Sequence, residues 1–308
     1  MPQIILGCDL ARGWLDVHAL PAGAAARIEN TKPALARWAA SLDPGSLVVF
    51  EATSGCDGPL IEALAARGLR FARVNPRQAR EFARALGVLA KTDRVDARVL
   101  AEMGLRLPLE ITAPPDPARV RLADFLRRRK QLVEARKAEK NRRHGAGQPE
   151  LRRDIESMIA ILDRRVEKLD RQIAEIIARN PDLAARAELL RAVPGVGPTV
   201  LATLLGELPE LGTIDRRRIA SLAGLAPHAR ESGTWRGTRR IRGGRRKVRE
   251  ALYIAALSAS RRVPSLIALR ERMRAAGKAP KTILIAVGRH LLVILNAMMR
   301  SREPIRLT

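Results

Sequence analysis

The sequence predicts an α/β domain followed by a helical, strongly basic remainder, and three observations carry that expectation. Five short apolar runs between residues 4 and 74 have strand spacing, the first three back to back and the others separated by helical segments. Charge is split along the chain: residues 1–110 hold 14 Lys+Arg against 12 Asp+Glu, whereas residues 111–308 hold 43 against 20. Finally, Ile155, Ile159, Leu162, Val166, Leu169, Ile173 and Ile176 keep an alternating four- and three-residue spacing over about three heptads, a coiled-coil seam.

In order, residues 4–9 read as a buried strand that ends on an acid, Asp9. Ala11-Arg12-Gly13 is a turn, residues 14–20 alternate like a half-exposed strand, and residues 25–29 make a third. A helix opens at Lys32-Pro33, where proline suits the first turn, and runs to about residue 41. The apolar run 47–51 again ends on an acid, Glu51. Residues 59–67 are helical and stopped by Gly68, residues 69–74 form a fifth strand, and residues 76–85 another helix. A three-stranded meander followed by alternating helices and strands makes a mixed sheet, whose ligands bind beyond the strand ends.

That edge is where the carboxylates gather. Asp93 and Asp96, three residues apart on a helix, share a face with Cβ atoms roughly 5–6 Å apart. By themselves they read as a solvated surface, with Lys91, Arg94 and Arg98 as neighbours. With Asp9 and Glu51 at the ends of two strands, the four become a site for a pair of Mg²⁺ ions, since converging carboxylates repel unless cations lie between them. Two such ions roughly 4 Å apart clamp the attacking and leaving oxygens of a phosphodiester.

Gly7-Cys8-Asp9, Glu51-Ala52-Thr53-Ser54-Gly55 and Lys91-Thr92-Asp93-x-x-Asp96-Ala97 resemble the DEDD-type insertion-sequence transposases with a RuvC-like N-terminal domain. That family includes the Piv-type DNA invertases and the bridge-RNA-guided recombinases. The resemblance implies an RNase H-like fold with Asp9, Glu51, Asp93 and Asp96 as the metal-binding tetrad. Cys8 departs from the branched aliphatic residue commoner there. On a strand it faces away from Asp9, so no chemical consequence is expected.

Residues 122–143 form a long arginine-rich helix, broken by His144-Gly145-Ala146-Gly147-Gln148-Pro149. The seam after the break packs on that helix as a hairpin or pairs two protomers, and its spacing fits an ordinary amphipathic helix of one monomer equally well. The resemblance implies a coiled coil that supports multimers, dimer to tetramer. Arg127-Arg128-Arg129-Lys130 and Arg136-Lys137 are candidate phosphate contacts. Three domains are expected: 1–115, the basic helical region 116–182, and 183–308.

In the last of these, Val193-Pro194-Gly195-Val196-Gly197 between helices looks like a helix-hairpin-helix, with Gly195 and Gly197 presenting backbone N–H groups to phosphate. The segment 234–249 holds Arg236, Arg239, Arg240, Arg242, Arg245, Arg246, Lys247 and Arg249 with almost no apolar residues, so it is expected to lie against nucleic acid. Ser232 before Gly233 reads by itself as a turn residue. Gly224-Leu225-x-Pro227, Ser232-Gly233 and Arg249-x-x-Leu252-Tyr253 match the transposase domain of the same family, and by that resemblance Ser232 is the nucleophile that attaches covalently to DNA. Tyr253, the only tyrosine, sits in an apolar helical run and reads as core.

A formal charge of +25 calls for an anionic partner, most simply nucleic acid. Two cysteines, Cys8 and Cys56, in no metal-ligand spacing leave zinc unsupported and fit a reducing cytosol. Asp9 interrupts the first apolar run, so no signal peptide is expected, and the apolar stretch 283–299 is broken by Arg289 and His290 and is too short for a bilayer. The resemblance adds DNA as substrate and a structured guide RNA as partner. Two other readings stay open: a metal-dependent junction nuclease that uses water, and a catalytically inactive nucleic-acid-binding protein.

Overall fold

The computed structural model describes residues 4–52, 56–88, 92–114, 116–228, 231–232, 235–236 and 240–304, and the chain divides into two compact units, Met1–Pro115 and Asp116–Thr308.

In the first unit the meander is β1 (Ile5–Leu10), β2 (Trp14–Leu20) and β3 (Ala24–Glu29), followed by α1 (Lys32–Ala40), β4 (Leu47–Glu51), α2 (Gly58–Ala66), β5 (Arg70–Val74), α3 (Pro76–Ala85) and α4 (Asp93–Arg106). The sheet order is β3-β2-β1-β4-β5, with β1 antiparallel to β2 and parallel to β4. Such a mixed sheet is what an antiparallel meander plus two helix crossovers must build.

Period-two alternation divides the apolar residues between two faces. Leu6, Cys8, Leu10, Leu15, Val17, Val48, Phe50 and Phe71 pack with Leu35 and Ala39 of α1 and Leu60 and Leu64 of α2. Ile5, Leu47, Val49, Ala72 and Val74 pack on the other side with Ala79 of α3 and Leu100 and Met103 of α4. Cys8 thus points away from the face that carries Asp9. Burial, and then the Asp9 charge, pushes its thiol far above the ordinary range. Thiolate being the reactive form, Cys8 is expected to resist alkylation in the native protein at neutral pH and to react once the chain is unfolded, a contrast that mass spectrometry of labelled peptides reads directly.

The second unit opens with an antiparallel hairpin of α5 (Pro117–Gly145) and α6 (Pro149–Arg179). The heptad seam of α6 finds its partner within the chain: Leu162 and Val166 pack on Leu132, flanked by Val133 and Leu169. Arg129 pairs with Asp170 and Arg136 with Asp163 across the hairpin. At its base Leu122, Leu126, Ile173, Ile176 and Ile177 enter the same core as the helices that follow. Those are α7 (Pro181–Arg191), α8 (Pro198–Glu207), α9 (Arg216–Leu222), α10 (Arg246–Ala259), α11 (Pro264–Ala275) and α12 (Pro280–Ser301).

Helix α12 has 22 residues and, among the described residues, is the one helix long and apolar enough to cross a membrane. The sequence expectation that this stretch is too short is therefore corrected, because the helix starts at Pro280 and runs past Met299. Here its apolar surface serves the core: Val287, Leu291, Leu292 and Leu295 are fully buried. Asn296, also buried, donates to the Ile214 carbonyl at 2.9 Å and accepts from the Gly212 amide at 2.7 Å, tying down the chain between α8 and α9. Asn296→Leu orphans the Gly212 amide, while the Ile214 carbonyl keeps a bond from Arg300 Nη2; it is expected to cost on the order of 2 kcal/mol, read as a fall in thermal stability.

Between α9 and α10 the chain crosses the start of the basic segment 234–249. Two short antiparallel ladders occur there, β6 (Pro227–His228) with β9 (Arg240–Ile241) and β7 (Glu231–Ser232) with β8 (Trp235–Arg236). Each strand is two residues long, too short for alternation to register in the sequence.

Candidate functional site

Asp9 is the last residue but one of β1, and Glu51 ends β4. The parallel register runs from Ile5 opposite Leu47 to Cys8 opposite Phe50, so Asp9 and Glu51 are the next pair, side by side on the face covered by α4. Both are half-buried.

Two glycines set how α4 lies on that face. A Cβ at Gly7 would sit 2.0 Å from the Ala97 carbonyl oxygen and 2.3 Å from the Ala101 nitrogen, so helix backbone rests directly on strand backbone. A Cβ at Gly104 would meet Val49 and Ile5 at 2.7 and 2.8 Å. Moving along β1 from Ile5 to Gly7 therefore means moving back along α4, and the helix runs antiparallel to the strand. Its N-terminal turn, with Asp93 and Asp96, reaches the end where Asp9 and Glu51 stand. Thr92 fixes that start: its hydroxyl accepts from the Val95 amide at 3.3 Å, and two acids in the first turn suit the helix dipole.

The fold thus brings all four predicted carboxylates to one edge of one sheet. Asp96 is half-buried and Asp93 is exposed. Among the described residues, no three carboxylate, histidine or cysteine side chains converge closely enough to hold an ion.

Sequence reading missed two residues here. Asp16 lies directly opposite Asp9 in the β1–β2 register, and Arg27 lies opposite Asp16 on β3. Asp16 is 3% exposed and accepts two bonds from Arg27, Nε to Oδ1 at 2.9 Å and Nη2 to Oδ2 at 2.7 Å. Arg27 Nη2 is also 3.8 Å from Asp93 Oδ2, and its guanidinium stands 5.0 Å over the Trp14 ring. The Asp16 bond raises the Arg27 pKa above its already high ordinary value. The tight Leu10-to-Leu15 turn is the signal that would have found the pair, since its closure dictates Asp9 opposite Asp16.

In the second unit Ser232 stands on β7, its backbone paired with Trp235 of β8. Arg239, and the side chains of Ser232 and Arg236, lie outside the described residues. Gly195 has φ +93°, and a Cβ there would lie 2.6 Å from the Ala255 carbonyl, so α10 closes on this turn. Gly197 is exposed at the N-cap of α8.

The basic cluster divides in two. Arg240, Arg242 and Arg246 are exposed, although Arg246 also holds Glu250 at 2.6 Å. Arg245 instead grips Glu210 through two nitrogens at 2.5 and 2.6 Å and donates to the Glu207 carbonyl, while Lys247 pairs with Glu207 at 2.5 Å. Arg245 and Lys247 anchor the start of α10 to the end of α8, a use that sequence charge does not distinguish from a free cation. Lys130 likewise pairs with Glu250 at 3.2 Å.

Comparison with known proteins bears on both units. The sequence profile of the transposase IS116/IS110/IS902 family matches residues 187–271, and a DEDD transposase profile matches residues 13–146. A pilin gene-inverting protein of Moraxella bovis is 31% identical over 239 residues, 75% of this chain and 73% of its own length. This chain belongs to the IS110/IS116/IS902 transposase family. An insertion element IS116 protein of Streptomyces clavuligerus is 32% identical over 152 residues, 49% of this chain and 37% of its own. One from IS900 of Mycobacterium paratuberculosis is 32% identical over 152 residues, 47% of this chain and 38% of its own. The transposase profiles take in Glu51, Asp93 and Asp96 in the first unit and Ser232 in the second, whereas Asp9 precedes the first matched residue. Membership makes the chain an enzyme that recombines DNA.

Proposed function

We propose that this transposase cuts and rejoins DNA strands through a serine-linked intermediate, with Asp9, Glu51, Asp93 and Asp96 on an RNase H-like sheet as the ligands for two Mg²⁺ ions. The observation that carries the reading is the arrival of α4, antiparallel to β1, at the strand ends that bear Asp9 and Glu51. All four side chains are hard oxygen donors, which suit Mg²⁺ better than a thiophilic metal. When bound, the metal supplies charge neutralisation at the scissile phosphate and at the departing 3′ oxygen.

Ser232 Oγ attacks the phosphorus as the bond to the 3′ oxygen breaks. The proton lost by the serine balances the one gained by the leaving hydroxyl, and the product is a phosphodiester between Ser232 and the DNA end. A hydroxyl of a second strand then attacks that ester, rejoins the DNA and restores the serine. Backbone N–H groups at Gly195 and Gly197, in a helix-hairpin-helix role, and the side chains of Arg236, Arg239, Arg240, Arg242 and Arg246 hold phosphates. The net charge of +25 supports that polyanion role. A structured guide RNA, assembly as a dimer to tetramer, and a cytoplasmic location complete the reading.

Covalent trapping tests it. Protein incubated with Mg²⁺, RNA transcribed from the flanks of the gene and DNA carrying those flanks, then denatured, is expected to carry DNA, and Ser232→Ala is expected to carry none. Free cleaved ends from both proteins would mean that water is the nucleophile and that the enzyme is a nuclease. Binding without Mg²⁺-dependent cleavage by either would mean an inactive binding protein.

A further inference from the structure

We propose that Arg27 is a phosphate contact for the DNA strand at the carboxylate edge, held ready by Asp16 and Trp14; the assignment rests on the reading of that edge as the strand-cleaving site. The cross-strand register places Asp9, Asp16 and Arg27 in one row on the face covered by α4. Arg27 offers Nε and Nη2 to the buried Asp16 carboxylate. Its Nη1 makes no hydrogen bond among the described residues, and the side chain is 53% exposed. One edge of the guanidinium is thus committed and the other faces solvent. Trp14, 44% exposed, supplies a flat surface 5.0 Å below it.

A guanidinium already held by Asp16 and stacked on Trp14 loses little entropy on taking a phosphate oxygen, and its planar fork matches that ligand. The need is also local. A phosphodiester approaching Asp9, Glu51, Asp93 and Asp96 meets four carboxylates in a unit whose residues 1–110 are nearly neutral. Nη2 is 3.8 Å from Asp93, so the cation stands beside that cluster. Arg94 lines the same cavity of about 130 Å³ with Asp16, His18 and Arg27, adding a second positive group where the strand would pass.

A purely structural reading makes Arg27 a buttress that holds Asp16 and Asp93 in place. The double variant Asp16→Asn/Arg27→Gln separates the two, because a neutral amide pair replaces the ion pair without orphaning a buried charge or altering net charge. In the full-length protein three quantities are measured: Mn²⁺ binding without DNA by electron paramagnetic resonance, the salt dependence of affinity for a labelled duplex taken from the gene's flanks, and Mg²⁺-dependent cleavage of that duplex. The expected result is unchanged Mn²⁺ binding, a log–log salt slope smaller by about one, and cleavage reduced roughly 10–100-fold. Arg27→Lys, which keeps charge but cannot pair side-on with Asp16 and still present a free edge, is expected to recover the slope and not the cleavage. An unchanged slope overturns the assignment, whether or not Mn²⁺ binding falls. Absence of cleavage by the unmodified protein would count against the proposed strand transfer, and the slope would still decide whether Arg27 touches DNA.

Discussion

Asp9→Asn is expected to abolish Mg²⁺-dependent strand cleavage, by at least about 10²–10³-fold, while leaving DNA affinity in the absence of metal within a factor of about two. Asparagine keeps the volume and one oxygen but removes the negative charge that a hard cation needs. The position is sensitive because Asp9 and Glu51 stand on adjacent parallel strands one register step beyond Cys8 and Phe50. A shift of one residue would turn either acid to the opposite face, into the packing of α1 and α2. Cleavage assays across a Mg²⁺ and Mn²⁺ titration check the expectation, with the melting temperature as control for the fold. Cleavage at the unmodified rate would remove Asp9 from the site and, with it, the reason for reading the strand edge as a metal centre.

Gly7→Val is expected to be as damaging by a different route. The new side chain would occupy space 2.0 Å from the Ala97 oxygen and 2.3 Å from the Ala101 nitrogen, which are backbone atoms and cannot rotate away. Helix α4 must therefore lift from β1, opening the packing of Leu100 and Met103 on Ile5 and Val49. Overpacking of this kind costs roughly 3 kcal/mol or more. For a unit of this size that is a fall of roughly 10–20 °C in its unfolding transition. Because Asp93 and Asp96 ride on the same helix, cleavage is expected to fall in parallel even under conditions where the unit stays folded. Thermal unfolding followed by circular dichroism reads the first effect and the cleavage assay the second. A variant with normal stability would mean that α4 does not rest on Gly7.

Much of this could be read from the residues in order. Trp14 to Leu20 carries the alternation of a half-exposed strand, Ile5 to Leu10 and Leu47 to Glu51 are the apolar runs of strands buried on both faces, and the proline starts of α1 and α3 punctuate the helices. The acids at strand ends were visible for the same reason, since a charged residue terminating an apolar run marks an edge. The role proposed for Ser232 rests on family resemblance alone, because a serine before glycine has no local pattern that separates a nucleophile from a turn.

What the residues determine alone is the alternation of apolar and polar groups, hence the elements, and the division of charge between the halves of the chain. Tertiary structure decides what those groups meet. Whether the α6 seam faces α5 or a second protomer, whether Arg245 and Lys247 serve Glu210 and Glu207 or a phosphate, and that Asp16 and Arg27 join the carboxylate row all depend on pairing between segments distant in sequence. Spacing along one element reports which side chains share a face, whereas charge complementarity is a property of two faces brought together.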